Sequence, residues 1–370
     1  MFLDKPDARR PDPNAGLWPQ LGMMMRALLA SPVKGQLFTL GGAIFLAVVA
    51  TTYGQIRLNE WNKPFYDALA RRDFHQFMVQ LGVFAIITGI LLVLNVGQRW
   101  LSEMLKLKLR QGLVRDLVSE WLKPGRAARL AHEGAIGVNP DQRMHEDARH
   151  LTELSGDLGV MLMQSTILLV AFVGVLWALS SGFVFHYHGR QFSVPGYMVW
   201  AAILYAGLGS LLSYWVGGSL IPMNAARYQR ESELRYSLMQ INQSLPAIIT
   251  SQGEEEAARR LDRNLAGVLK AMRRLVTGLT DLTWVTASYG WLTLVAPILV
   301  AAPAYFAGNL SFGGMMMAAG AFNQVQSSLR WFVDNFSTIA DWRATLLRVA
   351  SFRRALMTER IPKVKPALAE

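Results

Sequence analysis

Apolar residues run along this chain in long blocks instead of the short alternations of a soluble fold. Five blocks stand out: Gln36 to Ile56, Phe77 to Val96, Leu158 to Leu179, Tyr197 to Ile221 and Leu282 to Phe306. Each matches the run of about 20 residues that a helix needs to cross the hydrocarbon core of a bilayer. A sixth block starts near Phe312 and is much more polar. Trp18 to Ala30 is amphipathic but too short to span, which predicts an interfacial elbow helix over 18–31 lying against the bilayer. Residues 1–17 are polar and proline-containing and read as a disordered tail, and 357–370 as a C-terminal tail. No cleavable signal peptide is expected, because the first apolar run starts late and lacks a small-residue cleavage site.

The polar stretches between blocks keep a helical period. Leu105, Leu109, Leu113 and Leu117 continue the second block, and Glu231–Gln243 and Glu254–Leu275 do the same around the fourth and fifth. The expected fold is therefore an all-α membrane protein. It has six transmembrane helices over residues 32–356, with long cytoplasmic helix extensions and shorter outer connections.

Composition agrees. Of 370 residues, 52% are hydrophobic and only 17% charged, against about 25% in soluble domains. The absence of cysteine rules out disulfides, thiolate metal sites and thiol nucleophiles. The net charge of +11 admits three partners: nucleic acid, an anionic membrane surface, or the translocation machinery that sets topology. The basic residues decide. They cluster after the second block (Arg99 to Arg149), after the fourth (Arg227 to Arg274) and in the tail (Arg343 to Arg354), and are sparse elsewhere. The positive-inside rule then puts both termini and both long loops in the cytoplasm, and nucleic-acid binding drops out.

The block starting at Phe312 carries the most chemistry. Asn323, Ser327, Arg330, Asp334, Ser337 and Asp341 recur at steps of three or four, with Phe322, Val325, Leu329, Phe332, Phe336 and Ile339 on the other face. Charged groups at bilayer depth cost several kcal/mol unless they face water or each other. One reading is a helix lining a water-filled path. The other is an internal pairing of Arg330 with Asp334 at i,i+4. The six histidines map to loops or span ends, so proton-carrying candidates are the carboxylates Asp334, Asp341, Asp157 and Glu60. His186 and His188 lack a third ligand, and no metal site is expected. No arrangement of nucleophile and base marks an intramembrane enzyme.

Asn139-Pro140-Asp141-Gln142-Arg143, followed by Glu146-Asp147, reads as a helix start, with Asn139 as the N-cap and Pro140 in the first turn. The plain reading is a capped cytoplasmic helix. The functional one is a coupling helix that lies across the membrane axis and takes force from an ATPase.

Several of these segments carry a resemblance. Asn139 to Asp147 resembles a segment of ABC transporters of the peroxisomal fatty-acyl type (subfamily D) and their bacterial relatives. Asn59-Glu-Trp-Asn-Lys-Pro-Phe-Tyr-Asp67 is similar to the N-x-W…F-Y segment of the SbmA/BacA peptide-uptake family and related ABC permeases. Ala321 to Val325 with Leu329 to Phe336 resembles the last span of that family, and Glu231 to Tyr236 with Ser244 to Glu255 the second cytoplasmic segment of the peroxisomal type. The resemblance covers residues 35–355. It implies a homodimeric permease of the bacterial inner membrane, moving peptide-like compounds by alternating access. It implies coupling helices at Asn139 to Asp147 and at Ser244 to Glu255, Glu254 included.

The sequence departs from the ABC pattern in holding no G-x-x-x-x-G-K-[ST] phosphate loop. No cofactor is expected in this chain, and ATP enters only through a separate or missing nucleotide-binding domain. Three explanations stay open: a separate ATPase chain, a fragment of a longer polypeptide, or proton drive as in SbmA/BacA-like proteins. A membrane scaffold that transports nothing is the rival outside the transporter class. Cargo and direction stay open too.

Overall fold

The computed structural model describes residues 16–130, 139–181, 184–187, 190–250 and 252–357. Both tails beyond these limits, His132 and His188 lie outside the described residues. The chain divides into two compact units: Met1–Val175 with Trp331–Glu370, and Leu176–Arg330.

In the first unit, α1 (Leu17–Ala30) buries Gln20, Met24 and Ala27 and leaves Trp18, Met25 and Leu29 exposed. It is followed by α2 (Lys34–Arg71) and α3 (Phe74–Trp121). At ~1.5 Å per residue, α3 is about 70 Å long, more than twice the hydrocarbon thickness. The predicted outer loop between spans one and two shrinks to Arg72 and Asp73. Arg72 adopts a left-handed conformation (φ 59°), and the Asp73 carboxylate caps α3 by accepting from the Gln76 amide at 3.0 Å. The residues expected in that loop are helical because aromatic side chains weld the two helix ends. Trp61 stacks on Phe65 (4.4 Å between centroids) and packs on Phe84 (4.9 Å), and its indole N–H donates to the Gln80 carbonyl at 2.8 Å. The Asn59-to-Asp67 segment thus lies within α2.

A short α4 (Arg126–Leu130) precedes α5 (Pro140–Gln142), a π-helical turn (Arg143–Asp147) and α6 (Ala148–Ser180), the last three forming one continuous helix. The expected transverse coupling helix is instead the opening of the third span. The C-terminal helix α12 (Phe336–Met357) packs back on this end. Met24, Leu113, Leu117, Leu130, Ala148, Leu151, Leu346, Val349, Phe352 and Leu356 form one buried cluster, which uses the leucine face read in the sequence.

The second unit starts at Leu176 in α6. A two-stranded antiparallel hairpin follows, β1 (Val184–Tyr187) with β2 (Arg190–Ser193), pairing Val184 with Ser193. The all-helical expectation therefore misses this one hairpin. Then come α7 (Tyr197–Gly217), α8 (Leu220–Gln243), α9 (Leu245–Thr250), α10 (Glu254–Phe306) and α11 (Phe312–Asp334), which ends in the first unit.

Among the described residues, five helical segments are long and apolar enough to cross a membrane: Lys34–Arg71, Phe74–Trp121, Pro140–Ser180, Tyr197–Gln243 and Glu254–Phe306. Only 6–22% of their most apolar windows is buried. A soluble fold would bury helices that are apolar on all sides, so these surfaces are built for lipid or a partner. The block from Phe312 does not meet the same measure.

Candidate functional site

The polar stripe is not carried by one helix. α11 ends at Asp334 and α12 starts at Phe336, with Asn335 between them. The Asn335 side-chain amide donates to the Trp331 carbonyl at 2.9 Å and shares that acceptor with its own backbone N–H (3.0 Å). Such side-chain competition disturbs a helix without stopping it, and the Ile339 amide still donates to the Asn335 carbonyl at 2.9 Å. Asn323 and Ser327 are exposed in the second unit, and Asp334, Ser337 and Asp341 in the first. The opposing face splits: Phe322 and Val325 are buried, whereas Phe332 and Phe336 are exposed beside the interruption.

Within the second unit, α11 anchors a polar network that the sequence reading missed. The Gln326 amide, itself buried, donates to the Tyr289 hydroxyl at 3.0 Å, and the Arg330 guanidinium lies 4.6 Å above the Tyr289 ring. Tyr289 stacks on Tyr205 with centroids 4.6 Å apart. Tyr205 Oη donates to the Tyr289 carbonyl (3.0 Å) and lies 2.9 Å from Thr293 Oγ1. Three helices are joined at span depth, where an unpaired polar group would be costly. A close approach makes this possible: a Cβ on Gly209 would sit 2.2 Å from the Tyr289 ring. The available signal was a tyrosine in the middle of each of two apolar runs, and Gln326 three residues after Asn323.

Within the first unit, the remaining stripe residues meet α6. Asp341 lies 2.7 Å from His150 Nε2, and the Trp342 indole donates to Ser155 Oγ at 2.9 Å. The placement of every histidine at a loop or span end is corrected here: His150 sits inside a continuous helix, against a carboxylate. Asp157 pairs with Lys106 of α3 at 3.0 Å, and Glu103 meets the same ammonium at 2.9 Å. Gly156 leaves the space for that lysine, since a Cβ there would be 2.4 Å from its Cγ. Two turns further along α3, Gln98 donates to Gln164 at 3.1 Å. Glu60 is exposed and pairs with Arg57 at 2.7 Å.

The Asn139-to-Asp147 segment has two faces. Asp141, Gln142 and Glu146 are exposed. Asp147 points inward, bridging Arg143 (2.6 Å) and Arg348 of α12 (3.2 Å). Pro140 occupies the first turn as expected, but Asn139 does not cap through its side chain. It takes a left-handed conformation (φ 57°), and its carbonyl accepts from the Arg143 amide at 3.3 Å. Arg353 of α12 makes a second inward clamp, a two-point hydrogen bond to Asp116 of α3 at 2.6 and 3.2 Å. At the end of α3, Glu120 accepts from Lys123 and Arg126; the Lys123 hydrogen bond, chiefly, holds its carboxyl below the usual value of 4.5. In the second unit, Glu254 opens α10 together with Glu255 and Glu256, all exposed.

The architecture and these segments agree with what comparison shows. Residues 24–306 match the family described as ABC transporter transmembrane region 2. This chain belongs to that family. It is therefore a multi-pass membrane protein of the ABC transporter type, which accords with the five long apolar helices. Among curated proteins it is 27% identical over 326 residues to the inner membrane ABC transporter ATP-binding protein YddA of Escherichia coli, covering 88% of this chain and 57% of that protein. It is 25% identical over 310 residues to ABC transporter D family member 2, chloroplastic, of Arabidopsis thaliana, covering 84% and 42%. The ABC transmembrane chain thus spans about half the length of these relatives.

Also within the first unit is a cavity of about 550 Å³ between α1, α3, α6 and the segment from Trp331 to Leu346. Its lining is almost wholly apolar and includes Met24, Leu109, Leu158, Trp331 and Trp342.

Proposed function

We propose that this chain is the permease region of an inner-membrane transporter, acting as a homodimer that moves peptide-like compounds by alternating access. Both termini lie in the cytoplasm in this reading. Asn323, Ser327, Arg330, Asp334, Ser337 and Asp341 line a wet path between the two copies, and the block from Phe312 supplies the sixth span. An ATPase on a separate chain or segment docks at the exposed Asp141, Gln142 and Glu146 and at the Ser244-to-Glu255 turn. The observation that carries this reading is the exposure of Asn323, Ser327, Asp334, Ser337 and Asp341 in a helix pair whose Phe322 and Val325 are buried. Lipid would reject that polar row, whereas a water-filled cavity accepts it.

Because the chain has no cysteine, single thiols can be placed at will. In membranes, Asn323→Cys, Ser327→Cys and Ser337→Cys should react with a charged, water-soluble thiol reagent. Val93→Cys, at an exposed apolar position of α3, should not. Equal inertness at all four positions would refute the path and leave the scaffold reading. Uptake of a labelled proline-rich peptide into vesicles, with ATP or with a proton gradient, then separates the two drives. Proton coupling is the second reading, and the contact between His150 and Asp341 favours it by setting two titratable groups 2.7 Å apart beside the stripe.

A further inference from the structure

In the second unit, α8 and α10 run side by side and enclose an open groove of about 630 Å³. Its lining combines small residues, Ala226, Gly267 and Ala271, with the cations Arg230, Lys270 and Arg274. The spacing explains the shape. Positions 267, 270, 271 and 274 share one face of α10, and 222, 226 and 230 one face of α8. One turn further on the helices close: a Cβ on Gly278 would lie 2.9 Å from both Leu220 and the Met223 sulfur.

Some cations on these two helices are matched by a carboxylate, and others, Arg235, Arg260 and Arg273 among them, have no ion pair among the described residues. Arg227 pairs with Glu231, Arg259 with Glu255, and Arg263 with Glu256. Arg230 has the partly exposed Glu233 at 2.9 Å. Lys270 and Arg274 are within ion-pair distance of no carboxylate among the described residues, although they stand at i,i+4, where like charges repel. The groove therefore holds three positive charges against one negative charge.

Its depth along the helices points to the occupant. Pro222 and Met223 directly follow the apolar run that ends at Ile221, and Arg274 stands eight residues, about two helical turns, before the run from Leu282 to Phe306. On α8 the groove begins where apolar sequence gives way to charge, the level of phospholipid headgroups, and on α10 it lies two turns or more to the charged side of that boundary. Basic pockets between membrane helices on the cytoplasmic side suit doubly charged phosphate headgroups.

We infer that the Arg230–Lys270–Arg274 groove is a binding site for the phosphate headgroup of an anionic phospholipid, cardiolipin above all, in the cytoplasmic leaflet. This rests on the cytoplasmic orientation proposed above but not on transport. The lipid's phosphates sit between Lys270 and Arg274, and the small lining residues leave room for the glycerol. The full chain in neutral detergent, titrated with cardiolipin, phosphatidylcholine or inorganic pyrophosphate, tests it by native mass spectrometry and thermal unfolding. Cardiolipin should be retained and should raise the midpoint, and phosphatidylcholine should do neither. Lys270→Gln/Arg274→Gln should weaken cardiolipin binding roughly tenfold or more, two surface cations' worth. Arg259→Gln/Arg263→Gln, which removes the same charge from the same helix, should leave binding unchanged. Ala271→Leu, which fills the groove and keeps its charge, should also weaken binding.

Equal losses in the two double variants would overturn the site in favour of diffuse attraction to a basic protein. Competition by pyrophosphate as effective as that by cardiolipin would overturn the lipid assignment. Peptide uptake plays no part in the readout, so failure of the transport reading leaves these outcomes distinct.

Discussion

Replacing Asp116 by Asn should destabilise the first unit far more than the loss of an ordinary ion pair. The Arg353 side chain is 9% exposed and that of Asp116 18%, and the two meet through a forked pair of hydrogen bonds at 2.6 and 3.2 Å. Asn keeps the shape and one acceptor but leaves the buried guanidinium without its counter-charge. Breaking a buried pair from one side costs about 3–5 kcal/mol. The residual exposure of the carboxylate lets water share the charge, which puts the expectation near the lower end, about 3 kcal/mol. The exposed Arg57–Glu60 pair, 57% and 46% exposed, is the internal control, and Arg57→Gln should cost about 0.5 kcal/mol or less. The double variant Asp116→Leu/Arg353→Met removes both charges and should recover much of the loss, within roughly 1.5 kcal/mol of the parent. Equilibrium unfolding in mild detergent with increasing denaturant, read by tryptophan fluorescence, completes the cycle with the single variants Asp116→Leu and Arg353→Met. If Asp116→Asn stays within about 0.5 kcal/mol of the parent, or if the double variant merely adds the two single losses, the pair is not the buried clamp its geometry describes.

Two further outcomes are expected. Gly209→Ala drives a Cβ into the Tyr289 ring at 2.2 Å and should cost about 1–3 kcal/mol, whereas Gly207→Ala, with nothing within 4 Å, should stay within about 1 kcal/mol of the parent in the same unfolding assay. Glu120 is held below 4.5 in the folded chain, so its contribution is complete above that pH and is lost as pH falls through the lower folded value. Stability measured from pH 7 downwards should therefore drop below about 4.5, and Glu120→Gln should flatten that limb; an unchanged slope would contradict the pairing with Lys123 and Arg126.

What the sequence made legible follows from the range of the forces involved. Run length alone places the five long apolar helices, because the bilayer sets a minimum length that few soluble segments meet. The leucine period predicts that Leu113 and Leu117 are buried, and they are. Local signals failed where a side chain had to choose between competing partners. Asn139 has the right identity for a cap, but it sits in the left-handed region that asparagine tolerates and makes no side-chain capping hydrogen bond. Asn335 interrupts the stripe without a glycine or proline nearby, because its own amide reaches the carbonyl four residues back.

The contacts around the candidate site were invisible for a different reason. His150 and Asp341 are 191 residues apart, Asp147 and Arg348 201, and Asp116 and Arg353 237. No period in the chain records such pairs. They nevertheless share a logic. All three tie α12 to α3 or to the opening of α6, and one of them uses Asp147, on the inner side of the exposed row Asp141, Gln142 and Glu146. A force applied to that row would meet Asp147 first. Asp147 bonds both Arg143, one turn back in the same helix, and Arg348, so the π-helical turn cannot shift without loading α12. The same α12 carries Ser337 and Asp341. The Asn139-to-Asp147 segment and the α12 end of the polar stripe, which looked like separate features along the sequence, are thus joined through one helix and one buried carboxylate. Asp147→Asn should accordingly disturb the link between them more than any substitution on the exposed face of the segment.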